Sequence, residues 1–302
     1  MPERIVALFG PTGVGKTAVA LALADRLRAR GEDPVAVSAD ALQVYEGLGT
    51  LTGAPAPEER ARLDHRLVGF VPLTEAFSVG AYMPLAHGEI DDALAAARRP
   101  IVVGGTGLYL RAALTELSLP PAPHAELRSR LERRLRVEGA PALHAELAER
   151  APAVAATIEP GDSTRVVRAL ELLEMGEEPA DASEGSELWT EDTRVPTLLC
   201  ALVRERDDLY ARIDDRVDAM VAAGARDEAR EADAAGASRT ARAALGFEEL
   251  LAGDVEAMKR RTRNYAKRQM TWMRKLPSVH LIELTGREPE RAAAEIEGLL
   301  GQ

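Results

Sequence analysis

Apolar, strand-like runs recur at Arg4–Phe9, Val35–Ser38, Leu67–Val71, Ile101–Gly104, Thr197–Val203 and Val279–Leu284, and alanine- and leucine-rich segments of helix length separate most of them. This alternation predicts an α/β fold, a parallel sheet with helices on both faces. Phosphate ligands of such a sheet bind beyond the carboxyl ends of its strands. The alternation fails between about Thr115 and Thr193. There Leu119-Pro-Pro-Ala-Pro123 opens helical repeats at Ala125–Glu149 and Ser163–Met175, and an acidic loop of turn formers, Gly176–Thr193, closes them. The expected organisation is an α/β core, 1–114 and 194–302, with an all-helical insertion at 115–193.

From Asp207 onward the pattern is mostly helical. Met258, Thr262, Tyr265, Gln269 and Trp272 share one helix face, and Arg260, Arg263, Lys267 and Arg274 fall on an adjacent one. The first stripe reads as packing. The second is either a solvated face or a contact for phosphates, and its single sign favours the contact.

Composition narrows the class. A chain of 302 residues, 46% apolar and 29% charged, is globular, with room for one large domain or two smaller ones. No run of 18 apolar residues spans a membrane, and a strand that starts almost at once leaves no room for a leader peptide. The single Cys200 sits in an apolar run and reads as core, so a reducing cytoplasm is the expected location. No Cys/His cluster has zinc spacing. The net charge of −11 argues against a nucleic-acid partner, but the distribution of that charge points the other way. Eight basic residues and no acidic one lie between Lys259 and Lys275, a positive patch on an acidic protein.

The segment Gly10-Pro-Thr-Gly-Val-Gly-Lys16-Thr17 fits the phosphate-loop pattern and stands between a strand and a helix. Its glycines let successive N–H groups turn inward, the helix start adds its positive end, and Lys16 adds a full charge. The motif binds a diphosphate or triphosphate. Asp40, ending the second strand, faces that loop across the crevice in a doubly wound sheet. Its carboxylate can hold magnesium through water, take a proton from a substrate, or cap a helix. The strand Pro100–Val103 runs into Gly104-Gly-Thr-Gly-Leu-Tyr109, where a motor ATPase would carry an acidic residue for magnesium. Arg212 and Arg216 lie one helix turn apart beside Asp214 and Asp215. Local ion pairs are one reading of these arginines, and reaching a diphosphate is the other.

Together these segments resemble the tRNA dimethylallyltransferases. The resemblance rests on Gly10–Thr17, Asp40-Ala-Leu-Gln-Val-Tyr45, Phe77-Ser-Val79, Gly104–Tyr109, Leu119-Pro-Pro-Ala122, Asp162–Glu171, Arg212–Met220, Ala244–Phe247 and Thr262–Trp272, in the family's order. It implies a phosphate-loop fold in which Gly10, Pro11, Thr12, Gly13, Val14, Gly15, Lys16 and Thr17 cradle dimethylallyl diphosphate. It also implies Mg2+ held partly by Thr17, and catalytic roles for Asp40, Lys16, Thr12 and Arg216. The bond broken is carbon–oxygen, so diphosphate leaves and no phosphoryl group moves. The residue matching Asp40 takes a proton from the exocyclic amine of an adenosine beside the anticodon, in tRNAs reading codons that begin with U. By the same resemblance Asp40, Ala41, Leu42, Gln43 and Thr106 line the channel for that base. Arg128, Thr164, Arg165, Arg168, Gly246, Arg263, Lys267 and Arg268 grip the anticodon stem-loop. A monomeric enzyme without a membrane partner is expected.

Some positions depart from the family pattern. Ala41 stands for a usual serine, Ala54 for a lysine, Asp64-His65-Arg66 for a paired histidine, and Glu248 for a basic residue. They bear on RNA affinity; the loop, Asp40 and Thr106 are intact. Three other classes compete. A small-molecule kinase has no use for the basic helix. An adenylate prenyltransferase needs neither insertion nor basic face. A pure RNA-binding module leaves the phosphate loop without a purpose.

Overall fold

The computed structural model describes residues 4–179 and 190–301, so most of the acidic loop lies outside the described residues. The chain divides into two compact units, Met1–Glu116 with Glu191–Gln302, and Leu117–Thr190.

The first unit is built on six parallel strands: β1 (Ile5–Phe9), β2 (Asp33–Ala39), β3 (His65–Arg66), β4 (Arg98–Gly104), β5 (Thr197–Val203) and β6 (His280–Glu283). Their order is β3-β2-β4-β1-β5-β6. β1 is buried throughout because helices cover both faces of the sheet, and its sequence is correspondingly apolar without alternation. Val6, Leu8, Leu23, Leu27, Leu198 and Cys200 form one core across sheet and helices. Burial pushes the Cys200 thiol up to about 12, so it packs as a hydrophobe.

The expected strand at Leu67–Val71 is absent. The edge strand is the preceding His65–Arg66, and Leu67 then takes a φ of 59°, which turns the chain out of the sheet. Val71 returns only as an isolated bridge to Tyr45.

Register positions the site. Gly104 pairs with Phe9 on one side and with Ala39 on the other, so β1, β4 and β2 end level. The loops beginning at Gly10, Gly105 and Asp40 therefore leave the sheet side by side. Gly104 has to be glycine here, because a Cβ would meet the Ala39 carbonyl oxygen at 2.5 Å.

The second unit is helical: Ala125–Glu138, Ala140–Arg150, Pro152–Ala155 and Ser163–Glu174. Gly139, at φ 82°, breaks the long helical stretch in two. Leu131, Leu143, Leu147, Val166 and Leu170 form its own core. Among the described residues no helix is long and apolar enough to cross a membrane.

Candidate active site

The phosphate loop joins β1 to the Lys16–Ala29 helix. Gly13 and Gly15 take φ values of 81° and 107°, the left-handed region that glycine adopts without strain. Gly15 caps the helix without a side chain, so the first-turn N–H groups of Lys16 and Thr17 lack intrahelical partners. Those amides and the helix's positive end make a ready anion site.

Lys16 Nζ donates to the carbonyls of Gly10 at 2.9 Å and Pro11 at 3.0 Å. Burial, then the nearby Arg216 charge, lower its pKa to about 8, while Asp40 pulls the other way. Arg216, from the Arg206–Ala222 helix, donates through Nη1 to Thr12 Oγ1 at 3.0 Å and through Nη2 to the Gly53 carbonyl at 3.4 Å. Arg212 on the same face donates to the Gly13 carbonyl at 3.3 Å. Both arginines thus turn to the loop, and Asp214 pairs instead with Arg263. Gly53 leaves the space for this arrangement, since a Cβ there would stand 1.7 Å from Arg216 Nη2.

Asp40 follows β2. One carboxylate oxygen, Oδ1, accepts the N–H of Leu42 at 2.9 Å and of Gln43 at 3.3 Å. This Asx turn fixes the side chain, and no hydrogen bond among the described residues occupies Oδ2. Capping and chemistry are therefore compatible at this residue. Gln43 is itself held, accepting from Ser38 Oγ at 3.1 Å and donating to the Gly53 carbonyl at 3.2 Å.

Two residues that spacing assigned to packing belong to this site. Gln269 Oε1 accepts the Thr12 N–H at 2.8 Å, and its Nε2 donates to the Gly105 carbonyl at 2.7 Å. Tyr265, one turn earlier, bonds Thr106 Oγ1 at 3.1 Å. Burial, then the Asp40 charge, push the Tyr265 phenol up to about 12, so it keeps its proton at neutral pH. Thr12, Lys16, Thr17, Asp40, Gln43, Arg216, Tyr265 and Gln269 line one cleft of about 1000 Å³. Leu42, Leu51, Val217, Met220, Leu245 and Met258 add an apolar wall to it. The phosphate-loop residues, two cationic side chains, a carboxylate and an apolar wall thus share one cavity.

The family model described as IPP transferase matches residues 43–276, and a second, isopentenyl transferase, matches residues 3–68. The chain belongs to the IPP transferase family. A tRNA dimethylallyltransferase of Anaeromyxobacter dehalogenans is 42% identical, covering 97% of this chain and 99% of that protein. One of Rhodospirillum centenum is 43% identical over 89% of this chain and 88% of its own length. The crystal structure of a full-length tRNA isopentenylpyrophosphate transferase from Bacillus halodurans is 32% identical. It covers 99% of this chain and 96% of its own, with a TM-score of 0.70. A eukaryotic dimethylallyltransferase structure, 24% identical with a TM-score of 0.73, shares the fold.

Residues that the resemblance assigned to RNA fall into distinct groups in this member of the family. Ala41, Leu42 and Thr106 lie half-buried on the loops at the strand ends, and Leu42 lines the cleft. Lys267 and Arg268 are exposed on the Val255–Met273 helix, with Arg268 5.5 Å from the Tyr265 ring. Arg263 differs: its guanidinium is bound to Asp214. The basic face is less single-signed than its sequence implies, because Lys259 is paired with Asp218 at 2.8 Å and Arg261 with Glu249 at 2.7 Å. Gly246 is buried, at φ 94°, and a Cβ there would meet Met258 at 2.6 Å, so packing beneath a turn requires glycine at this position.

In the second unit, Thr164 and Arg165 are exposed at the start of the Ser163–Glu174 helix, capped by Asp162. Arg128 and Arg168 are committed within that unit. Both bind the fully buried Glu171, Arg128 through Nη2 at 2.7 Å and Arg168 through Nη1 at 3.3 Å. Arg168 also donates to the carbonyls of Pro120 and Pro121. A buried carboxylate needs such partners.

Proposed function

We propose that this chain transfers the dimethylallyl group of dimethylallyl diphosphate to the exocyclic amine of the adenosine immediately 3′ of the anticodon, in tRNAs reading codons that begin with U. The observation that carries this reading is Arg216 seated on Thr12 beside Lys16, with Asp40 in the same cleft. A cationic cradle faces a fixed carboxylate, and an apolar wall stands beside both.

The loop amides, Lys16 and Arg216 bind the diphosphate and meet the charge that grows on it as the carbon–oxygen bond breaks. The amine nitrogen attacks the allylic carbon, and Asp40 Oδ2 takes the amine's proton. Hydrogen bonds from Leu42 and Gln43 keep that carboxylate in place during the transfer. The base reaches the cleft by leaving its stack, which costs least in a single-stranded loop. Lys267, Arg268, Thr164 and Arg165 are the exposed residues suited to RNA phosphates and riboses.

Thr17 is the residue that would hold Mg2+. Among the described residues no group of three or more His, Cys, Asp or Glu could form a protein cage for a metal. One hydroxyl beside a phosphate site fits an ion bound mainly by phosphate oxygens and water, which when present screens the leaving charge.

Radiolabelled dimethylallyl diphosphate tests the reading. Label is expected in a tRNA with an adenine-rich anticodon loop and absent from AMP. Labelling of AMP alone points to a free-nucleotide prenyltransferase instead.

A further inference from the structure

A phosphate loop works by presenting N–H groups to an anion, yet here one of those groups is already taken. The Thr12 N–H is bound at 2.8 Å by Gln269 Oε1, from a helix 257 residues further along the chain. The Val14 N–H is likewise turned back, to the Pro11 carbonyl at 3.3 Å. The anion-facing amides are therefore those from Gly13 and Gly15 onward, and their aim depends on how the Thr12 peptide is held.

Gln269 holds it from the outside. Gln269 is buried, 5% exposed, with Nε2 donating to the Gly105 carbonyl at 2.7 Å. That turn packs against the same ammonium that serves the loop, since a Cβ on Gly105 would stand 3.2 Å from Lys16 Nζ and 2.4 Å from Gln269 Nε2. One planar group thus ties the phosphate loop to the turn after β4, while Arg216 pins the Thr12 hydroxyl from the other side. A carboxamide suits both contacts, having an acceptor for the N–H and a donor for the carbonyl.

We propose that Gln269 is a positioning residue of the diphosphate site, clamping Thr12 to Gly105 so that the remaining loop amides and Lys16 converge on the anion. This rests on the cleft's being a diphosphate site, as proposed above. Gln269→Leu removes both bonds. Gln269→Glu keeps size and the acceptor but places a carboxylate against the Gly105 carbonyl.

The test titrates magnesium pyrophosphate into wild type and both variants by calorimetry, with hydrogen exchange of the peptide spanning 10–17 measured without ligand. Expected are at least tenfold weaker pyrophosphate binding in both variants, faster exchange over 10–17 in the leucine variant, and tRNA affinity within twofold of wild type. Pyrophosphate binding within twofold of wild type, with unchanged exchange, overturns the proposal. So does equal loss of tRNA and pyrophosphate binding, which marks a general packing role. Should the leucine variant fail to fold, the isosteric glutamate variant decides. A wild-type protein that binds no pyrophosphate refutes the diphosphate reading instead, and the exchange measurement still decides whether Gln269 restrains the loop.

Discussion

Arg216 Nη1 donates to Thr12 Oγ1 at 3.0 Å, joining two residues 204 positions apart in the chain. Burial lowers the pKa of this guanidinium, and Asp40, then Glu59, act against that shift. On the proposed function, this half-buried cation beside the phosphate loop meets charge that appears only as a leaving group departs. Arg216→Gln is expected to lower kcat/KM for dimethylallyl diphosphate by about 10²- to 10³-fold, the usual loss for one donor to a developing anion. Steady-state kinetics with saturating tRNA checks this.

The same arginine makes a prediction about a glycine. Gly53 sits at φ 59°, and a Cβ there would overlap Arg216 Nη2. Gly53→Ala should therefore reproduce most of the Arg216→Gln defect, and the double variant should be little worse than either single one. A double-mutant cycle measures that coupling, and additive losses would place Gly53 outside the Arg216 arrangement.

Asp40→Asn keeps an Oδ1 acceptor for the Leu42 and Gln43 amides, so the loop should hold its shape. Turnover is expected to fall by about 10²- to 10⁴-fold with tRNA binding nearly intact. Single-turnover rates alongside filter binding separate the two effects. An equal collapse of binding would make Asp40 structural.

Lys16 sets the alkaline limit. Burial and Arg216 bring its pKa to about 8, so the free enzyme carries the ammonium below that pH and loses it above. Attraction for an anion needs the charged form. Log kcat/KM for the diphosphate donor should be flat approaching pH 8 and then fall with a slope near −1. Lys16→Met should abolish the break along with most of the activity, and a wild-type profile level to pH 10 would contradict the assignment.

On the basic helix, pairing separates residues that sequence makes look alike. Neutralising Lys267 and Arg268 should weaken tRNA binding and flatten its salt dependence by about one unit per lost phosphate contact. Neutralising Arg263 should leave the slope unchanged, because Asp214 already holds its guanidinium. Binding titrations at several salt concentrations distinguish them.

These contrasts mark how far the sequence reaches. Five of six strands follow from apolar runs, because strands covered on both faces leave a continuous hydrophobic trace. The Gly10–Thr17 loop carries its own backbone requirements, and Asp40 is legible because it ends a strand. What stayed hidden was tertiary. The Leu67–Val71 run looks like a strand, but the left-handed backbone at Leu67 ejects it from the sheet. Gln269 and Tyr265 share the helical spacing of Met258, and spacing tells which residues face inward, never what waits there. That Arg128 and Arg168 both bind the buried Glu171 is likewise invisible in their spacing. The polar stripe residues within an otherwise apolar face, Gln269 above all, were the available hint.

Mass spectrometry of nucleosides from cellular tRNA, with and without this protein, decides between prenyl transfer and phosphoryl transfer. Prenyl transfer predicts adenosine carrying an added five-carbon group next to the anticodon only when the protein is present. Identical nucleoside profiles, with purified protein passing the terminal phosphoryl group of ATP to an acceptor, would contradict it.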